Sequence, residues 1–312
     1  MRGFLAVFLT AAAVVTGQTA GGVAERFEKS PLSPDQRQAI TDALAKRDYP
    51  RVESAFRAAI GKDAPPSRAA ELEALLGALE FVSGRMDQAI AAFRRSDVLV
   101  PLSEQDRFTF AMALVQERKV GDSRAQLSLL NQRHPNQTLY LYWLARLDYD
   151  ERLYDAAVEK LRRVVQLDPK SVRGYDNLGL CFDMMGMPDE AVEAFTKAVT
   201  LNRQQATPSP WPPHNFGALL LRLQRFHEAE ENLRESLKYD PGFAMAHYHL
   251  GRVLENEAAA DGAIAEYKKA AELDQKFAEP LYSLGLLYRR KGRAAEAGAA
   301  MAEYKKRKAL AP

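Results

Sequence analysis

The stretch VRGYDNLGLCFDMMGMPDEAVEAFTKAVTLNRQQ, residues 172 to 205, decides the fold. Apolar residues recur at helical spacing in Tyr175, Leu178 and Phe182, and again in Val192, Phe195 and Val199. Met185-Gly186-Met187-Pro188 breaks the pattern between them, so the stretch reads as two amphipathic helices joined by a tight turn. Gly179 in the first helix and Ala191 in the second are small, and a larger side chain at either would hold the two backbones apart.

The pattern repeats. Steps of 34 back from Val172 give starts at Thr138, Glu104 and Ala70; forward, one step of 38 reaches Pro210, and steps of 34 then reach Ala244 and Ala278. The Gly179 position becomes Gly77, Ala111, Ala145, Gly217, Gly251 and Gly285, always small. Leu178 maps to Leu76, Phe110, Leu144, Phe216, Leu250 and Leu284, always apolar. Prolines at 101, 135, 169 and 241 stop the second helix of four units. On these residues the chain resembles the tetratricopeptide-repeat (TPR) family. The resemblance implies an all-α fold, a right-handed superhelical solenoid of helix-turn-helix units. SPDQRQAITDALAKRDYPRVESAFRAAI, from Ser33, fits a degenerate first repeat, with Ser33 as helix cap and Pro34 at the first helical position. The count is then about eight, with the atypical unit serving as an end cap.

The chain carries 43 basic and 41 acidic residues, a net charge of +2, with no dominant basic run, which argues against nucleic acid as a partner. Arg2 followed by an uncharged apolar run from Phe4 to Val15 resembles a secretory signal peptide. The run stops short of the ~20 residues a membrane span needs. Residues 1–17 are therefore expected to be a leader cleaved before Gln18, or alternatively after Ala20. Export to a periplasm or cell exterior follows, with no stable membrane insertion once the leader is removed. Residues 18–32 show no clear period and read as a flexible lead-in to a repeat array over 33–312. Near 203–213 the proline-rich RQQATPSPWPPH makes one unit four residues too long. Pro212 and Pro213 are expected to delay the next helix to about His214 and leave Trp211 on a loop, as a gap filler or as part of a lid.

The residues supply no convergent catalytic site: no glycine-rich phosphate loop, no G-x-S-x-G and no H-E-x-x-H. His247 and His249, two apart on a helix, point away from each other; His134, His214 and His227 read as scattered. Cys181, the single cysteine, reads as a small buried hydrophobe. The reading is a non-enzyme with neither cofactor nor metal.

The surface made by stacking is what remains. In TPR proteins the first helices line the concave face through positions 2, 5, 6, 9, 12 and 13 of each unit. The resemblance thus places Leu75, Ala78, Phe81, Val82, Phe108, Met112 and Val115 in an apolar early half. Tyr142, Trp143, Arg146, Tyr149, Asp150, Arg173, Asp176, Asn177, Leu180 and Asp183 follow, and then a partly basic set from Asn215, Arg222, Met245, Tyr248, His249, Arg252, Tyr282, Arg289 and Arg290. Phe108, Tyr142, Trp143, Arg146, Tyr149, Arg173, Asn177, Trp211, Asn215, Tyr248, Arg252 and Tyr282 are the candidate partner-binding residues, since aromatic and arginine anchors dominate protein recognition and an asparagine amide can both donate to and accept from a peptide backbone. Arg146, Arg173, Asp150 and Asp176 can equally pair among themselves across repeats. The basic set that clamps a carboxylate terminus in chaperone-binding relatives is not present together in three successive units. Two functions stay open: a scaffold binding a peptide or protein in the groove, and an accessory subunit of an envelope enzyme or secretion complex that binds glycan.

Overall fold

The computed structural model describes residues 20–310, so the expected leader at 1–17 lies outside the described residues. The described residues hold seventeen α-helices and no strand. They are α1 (Ala20–Lys29), α2 (Pro34–Ala45), α3 (Tyr49–Ile60), α4 (Pro66–Val82), α5 (Met86–Leu99), α6 (Glu104–Gln116), α7 (Val120–Arg133), α8 (Thr138–Asp150), α9 (Tyr154–Leu167), α10 (Val172–Met184), α11 (Pro188–Asn202), α12 (Trp211–Arg222), α13 (Phe226–Tyr239), α14 (Ala244–Asn256), α15 (Ala260–Leu273), α16 (Glu279–Arg290) and α17 (Ala294–Leu310). From α2 onward, each even-numbered helix opens a repeat and is called A here; the odd-numbered helix after it is B. The chain forms two compact units, one ending at Leu147 and one beginning at Asp148, with the division inside α8.

Each A–B turn uses one residue in the left-handed region, at the fifteenth position of its repeat. Glycine fills it at 84, 186 and 292, but Arg118, Arg152, Gln224 and Ala258 adopt it too, with φ between 53° and 62°. Arg47 does the same at φ 53°, which places the start of the degenerate first repeat at Ser33. Ser33 caps α2 through a capping box: its hydroxyl accepts from the Gln36 amide, and the Gln36 side chain accepts from the Ser33 N–H.

Where an A helix carries glycine at its eighth position, the B helix of the same repeat lays a large side chain against it. A Cβ on Gly179 would stand 2.7 Å from the Phe195 ring, on Gly251 2.7 Å from Tyr267, and on Gly77 3.0 Å from Phe93. Ala191, expected to meet Gly179, is fully buried, but the nearest side chain to the glycine is Phe195, one helical turn further on.

In the first unit Leu75, Leu76, Phe93, Phe110 and Leu127 form one continuous core with Val23 and Phe27. Ion pairs tie consecutive helices around it. Glu73, almost fully buried, takes Arg57 at 2.6 Å and Arg95 at 3.0 Å, and buried Arg107 reaches Asp97 at 2.6 Å.

Two expectations need correction. Within the expected flexible lead-in, residues 20–29 form α1, with Val23 and Phe27 buried. Pro212 and Pro213 do not delay α12, which begins at Trp211. Both prolines sit in its first turn, where their missing N–H groups have no intrahelical partner to lose. The lengthened connection before it is pinned: Asn202 Nδ2 donates to the Ser209 carbonyl at 2.8 Å, and the Ser209 N–H donates to Asn202 Oδ1 at 2.9 Å. Ser236 Oγ then donates to the Pro210 carbonyl at 2.8 Å.

Candidate interaction surface

On the A-helix face of the first unit, the residues expected to line an open apolar groove are core residues. Leu75, Ala78, Phe81, Val82, Phe108 and Met112 are all buried, and only Val115 is partly open. Helix α1 packs on α4, and Arg26 spans to α6, where Nη1 and Nη2 donate to the Asp106 carboxylate at 2.6 and 3.1 Å. Phe108 lies against Tyr140, with ring centroids 5.6 Å apart. Tyr142 and Trp143 are half-buried and meet edge to face at 5.6 Å. Trp143 packs on the core of this unit, and its buried indole N–H has no hydrogen-bond partner. Arg146 is half-buried.

The second unit has a different A-helix face. Tyr149 is half-buried against Tyr154, with centroids 5.6 Å apart. Asn177 is buried, and its Nδ2 donates at 2.9 Å to the carbonyl of exposed Arg173 one turn back. Asp176 accepts from Asn215 Nδ2 at 3.1 Å on both carboxylate oxygens. A carboxylate only accepts, so Asn215 must turn its amide nitrogen there and present Oδ1 to the other side. Oδ1 meets His214 Nδ1 at 3.1 Å, which must donate; His214 Nε2 is then an acceptor and takes the proton of His249 Nδ1 at 2.9 Å. The result is a polar relay, Asp176–Asn215–His214–His249, across α10, α12 and α14.

Burial lowers the His214 pKa to about 4 and that of His249 to about 3, with His214 and Arg252 pushing His249 down further. Both imidazoles are neutral at pH 7, as the relay requires. His247, two residues before His249, behaves oppositely. Burial alone would lower its pKa, but its ring faces Glu266 at 2.6 Å and the Pro241 carbonyl at 3.0 Å, and the net shift is upward.

Aromatic rings run alongside the relay. Trp211, 49% exposed, meets Phe243 edge-on at 4.7 Å, and Phe243 stands 4.9 Å from His214. His214 stacks on His249 at 5.0 Å, His249 lies 5.4 Å from half-buried Tyr248, and Tyr248 meets Phe277 at 5.1 Å. Tyr282 is 45% exposed against Tyr304, and Arg252 is exposed. Much of the expected basic character is neutralised by pairing: Arg222 pairs with Asp183, and Arg290 with Glu255.

The reading of His214 as scattered is thus corrected, and a spacing rule explains the correction. Asp176 and Asn215 occupy the fifth and sixth positions of successive repeats, as do His214 and His249. Asp183–Arg222 and Glu255–Arg290 are the twelfth and thirteenth positions in the same sense. Partners therefore lie one residue more than the local repeat length apart, a signal present in the sequence once the period is known.

Among the described residues no helix is long and apolar enough to cross a membrane, and no group of three or more His, Cys, Asp or Glu could hold a metal ion.

The fold and the repeat register together define a helical-repeat protein. Tetratricopeptide-repeat profiles match residues 37–104, 108–172 and 142–208, with further matches at 214–243 and 260–292, and the chain belongs to the tetratricopeptide-repeat family. Among curated proteins it is similar to BBSome complex member BBS4 of Bos taurus, 29% identical over 126 residues, 39% of this chain and 22% of that protein. It is also similar to small glutamine-rich tetratricopeptide repeat-containing protein 2 of Saccharomyces cerevisiae, 32% identical over 73 residues, 23% of this chain and 21% of that protein. The chain thus spans less than a quarter of the length of these curated relatives. Among solved structures, a tetratricopeptide repeat protein from Parabacteroides merdae superimposes with a TM-score of 0.62 at 15% identity, covering 80% of this chain and 93% of that one. PilW, a type IV pilus biogenesis factor, gives 0.59 at 21% identity, covering 65% of this chain and 92% of that one. At these identities the likeness is one of fold.

Proposed function

We propose that this chain is a non-catalytic scaffold that holds a peptide or protein partner on the A-helix face of its second unit. The observation that carries the reading is the aromatic run from Trp211 to Tyr248, half-open to solvent and backed by the polar relay. Large rings held rigidly at a partly exposed surface lose little side-chain entropy on binding and remove much apolar area from water. The neutral imidazoles and the amide of Asn215 fix the rings without adding charge, while Arg252 offers a donor at the edge. Family membership supports the scaffold role in general terms. Export to a periplasm or cell exterior is part of the proposal and rests on Arg2 and the apolar run from Phe4 to Val15.

Photo-crosslinking in the native host tests the reading. A crosslinker at Trp211 or Tyr282 is expected to trap a protein, and one at Arg234, exposed on B helix α13, is expected to trap none. Capture from Arg234 alone contradicts the proposal. Retention of purified envelope glycan by the chain, lost in Trp211→Ala, would replace the peptide or protein ligand with a sugar.

A further inference from the structure

The first unit differs from the second in what covers its A helices. At the ninth position of the repeats, Ala78 and Met112 are buried, whereas Leu180 and Ala218 remain half-open and Arg252 is exposed. Helix α1 contributes to that covering. It packs on α4, buries Val23 and Phe27 into the core of the unit, and places Arg26 on Asp106, itself only 5% exposed. Val23, Arg26 and Phe27 are spaced i, i+3, i+4, so one helical face carries both apolar anchors and the charge. The chain after α1 is short and tied down: Ser30 Oγ donates to the Phe27 carbonyl at 2.6 Å, and Arg37 Nη1 donates to the Leu32 carbonyl at 2.6 Å.

The sequence of α1, AGGVAERFEK, has two glycines in ten residues. A segment of that length and composition does not hold a helix alone in water, so its helical form depends on the seat. A seat that imposes a helical conformation on a weak helix former, through two apolar anchors and one ion pair, has the elements of a helix-in-groove recognition site.

We propose that the A-helix face of the first unit is a docking groove for an amphipathic helix, that α1 is its built-in occupant, and that a partner helix with two apolar residues four apart and an arginine before the second enters by displacing α1. The apolar seat takes the anchors, and Asp106 selects the arginine. This groove is separate from the surface proposed for the second unit, and either proposal can fail without the other.

The test uses the full chain and a labelled peptide of residues 20–32, AGGVAERFEKSPL, with binding followed by fluorescence anisotropy. Phe27→Asp puts a charge into the seat and releases α1. The peptide is expected to bind the Phe27→Asp chain at least tenfold more tightly than the unaltered chain, whose groove is filled. Adding Asp106→Lys is expected to reverse the preference, so that a peptide with Arg26→Glu binds better than the natural one. Arg26→Glu in the chain alters only a partly exposed side chain; it is expected to raise peptide binding in the same direction and serves if Phe27→Asp fails to fold. Equal binding by the unaltered and released chains, no binding to a released chain of native helicity, or indifference to the Asp106 charge would each overturn the proposal.

Discussion

Gly179 has no room for a side chain, because the Phe195 ring occupies the space a Cβ would need. Gly179→Leu is therefore expected to cost ~1–3 kcal/mol or more, read as a lower midpoint in chemical denaturation. Ala258 lies in the left-handed turn position at φ 61°, where an L residue is strained and glycine is not. Ala258→Gly is expected to stabilise by roughly 0.5–1 kcal/mol once glycine's greater unfolded-state entropy is set against the relieved strain. The histidine relay gives a pH signature with a definite sign. The folded-state pKa of His214, about 4, lies below the ordinary imidazole value of 6.5, so the unfolded chain binds the extra proton first. Its stabilising contribution is complete above pH 6.5 and is lost as pH falls towards 4. The loss is on the order of 3 kcal/mol for this buried group. His214→Gln, measured between pH 5 and 6.5 where few carboxylates titrate, is expected to flatten the slope; an unchanged slope would remove His214 as its source. His247, with its raised pKa, works in the opposite sense, stabilising at low pH and losing its effect as pH rises past its folded value.

At the scale of elements, helices α4 to α17, apart from the start of α12, are legible because one period governs them. A single register placed the A helices, the small residues at their eighth positions and the one lengthened connection. Two elements were not. Helix α1 lies outside the 34-residue register, is short and carries two glycines, and is ordered by tertiary burial of Val23 and Phe27. Helix α12 carries prolines at its second and third residues, where first-turn tolerance rather than helix breaking governs. The candidate surface was legible in outline only. Positional rules selected Asn177 and Phe108, but Asn177 is buried and bonded within its own helix, and Phe108 is buried against Tyr140. The pairing of His214 with His249 does not show at either position alone, because it runs between repeats, one residue beyond the period. The pinned connection before α12 supplies another test. Asn202 is 1% exposed and bonds both the N–H and the carbonyl of Ser209. Asn202→Ala leaves both groups unpaired and is expected to destabilise by about 1–3 kcal/mol, with faster amide exchange over 203–210. Exchange unchanged there would mean that the loop is held by other contacts.

For the molecule as a whole, the two compact units present A-helix faces of different character. In the first, α1 and the core side chains close the face; in the second, rings and polar groups remain partly open. Trp143→Ala is consequently expected to act on stability, since Trp143 packs on the core of the first unit, whereas Trp211→Ala removes a half-exposed ring and should leave the fold intact. Arg234, exposed on B helix α13, is the control outside the proposed surface. Partner binding on the A-helix face of the second unit is measured by titrating the crosslinked partner, once isolated, against the unaltered chain, Trp211→Ala and Arg234→Ala by calorimetry. Trp211→Ala is expected to weaken binding by about 2 kcal/mol, the scale of a central aromatic anchor, and Arg234→Ala to leave it unchanged. Equal affinity for all three chains, or a loss confined to Arg234→Ala, would contradict binding on that face.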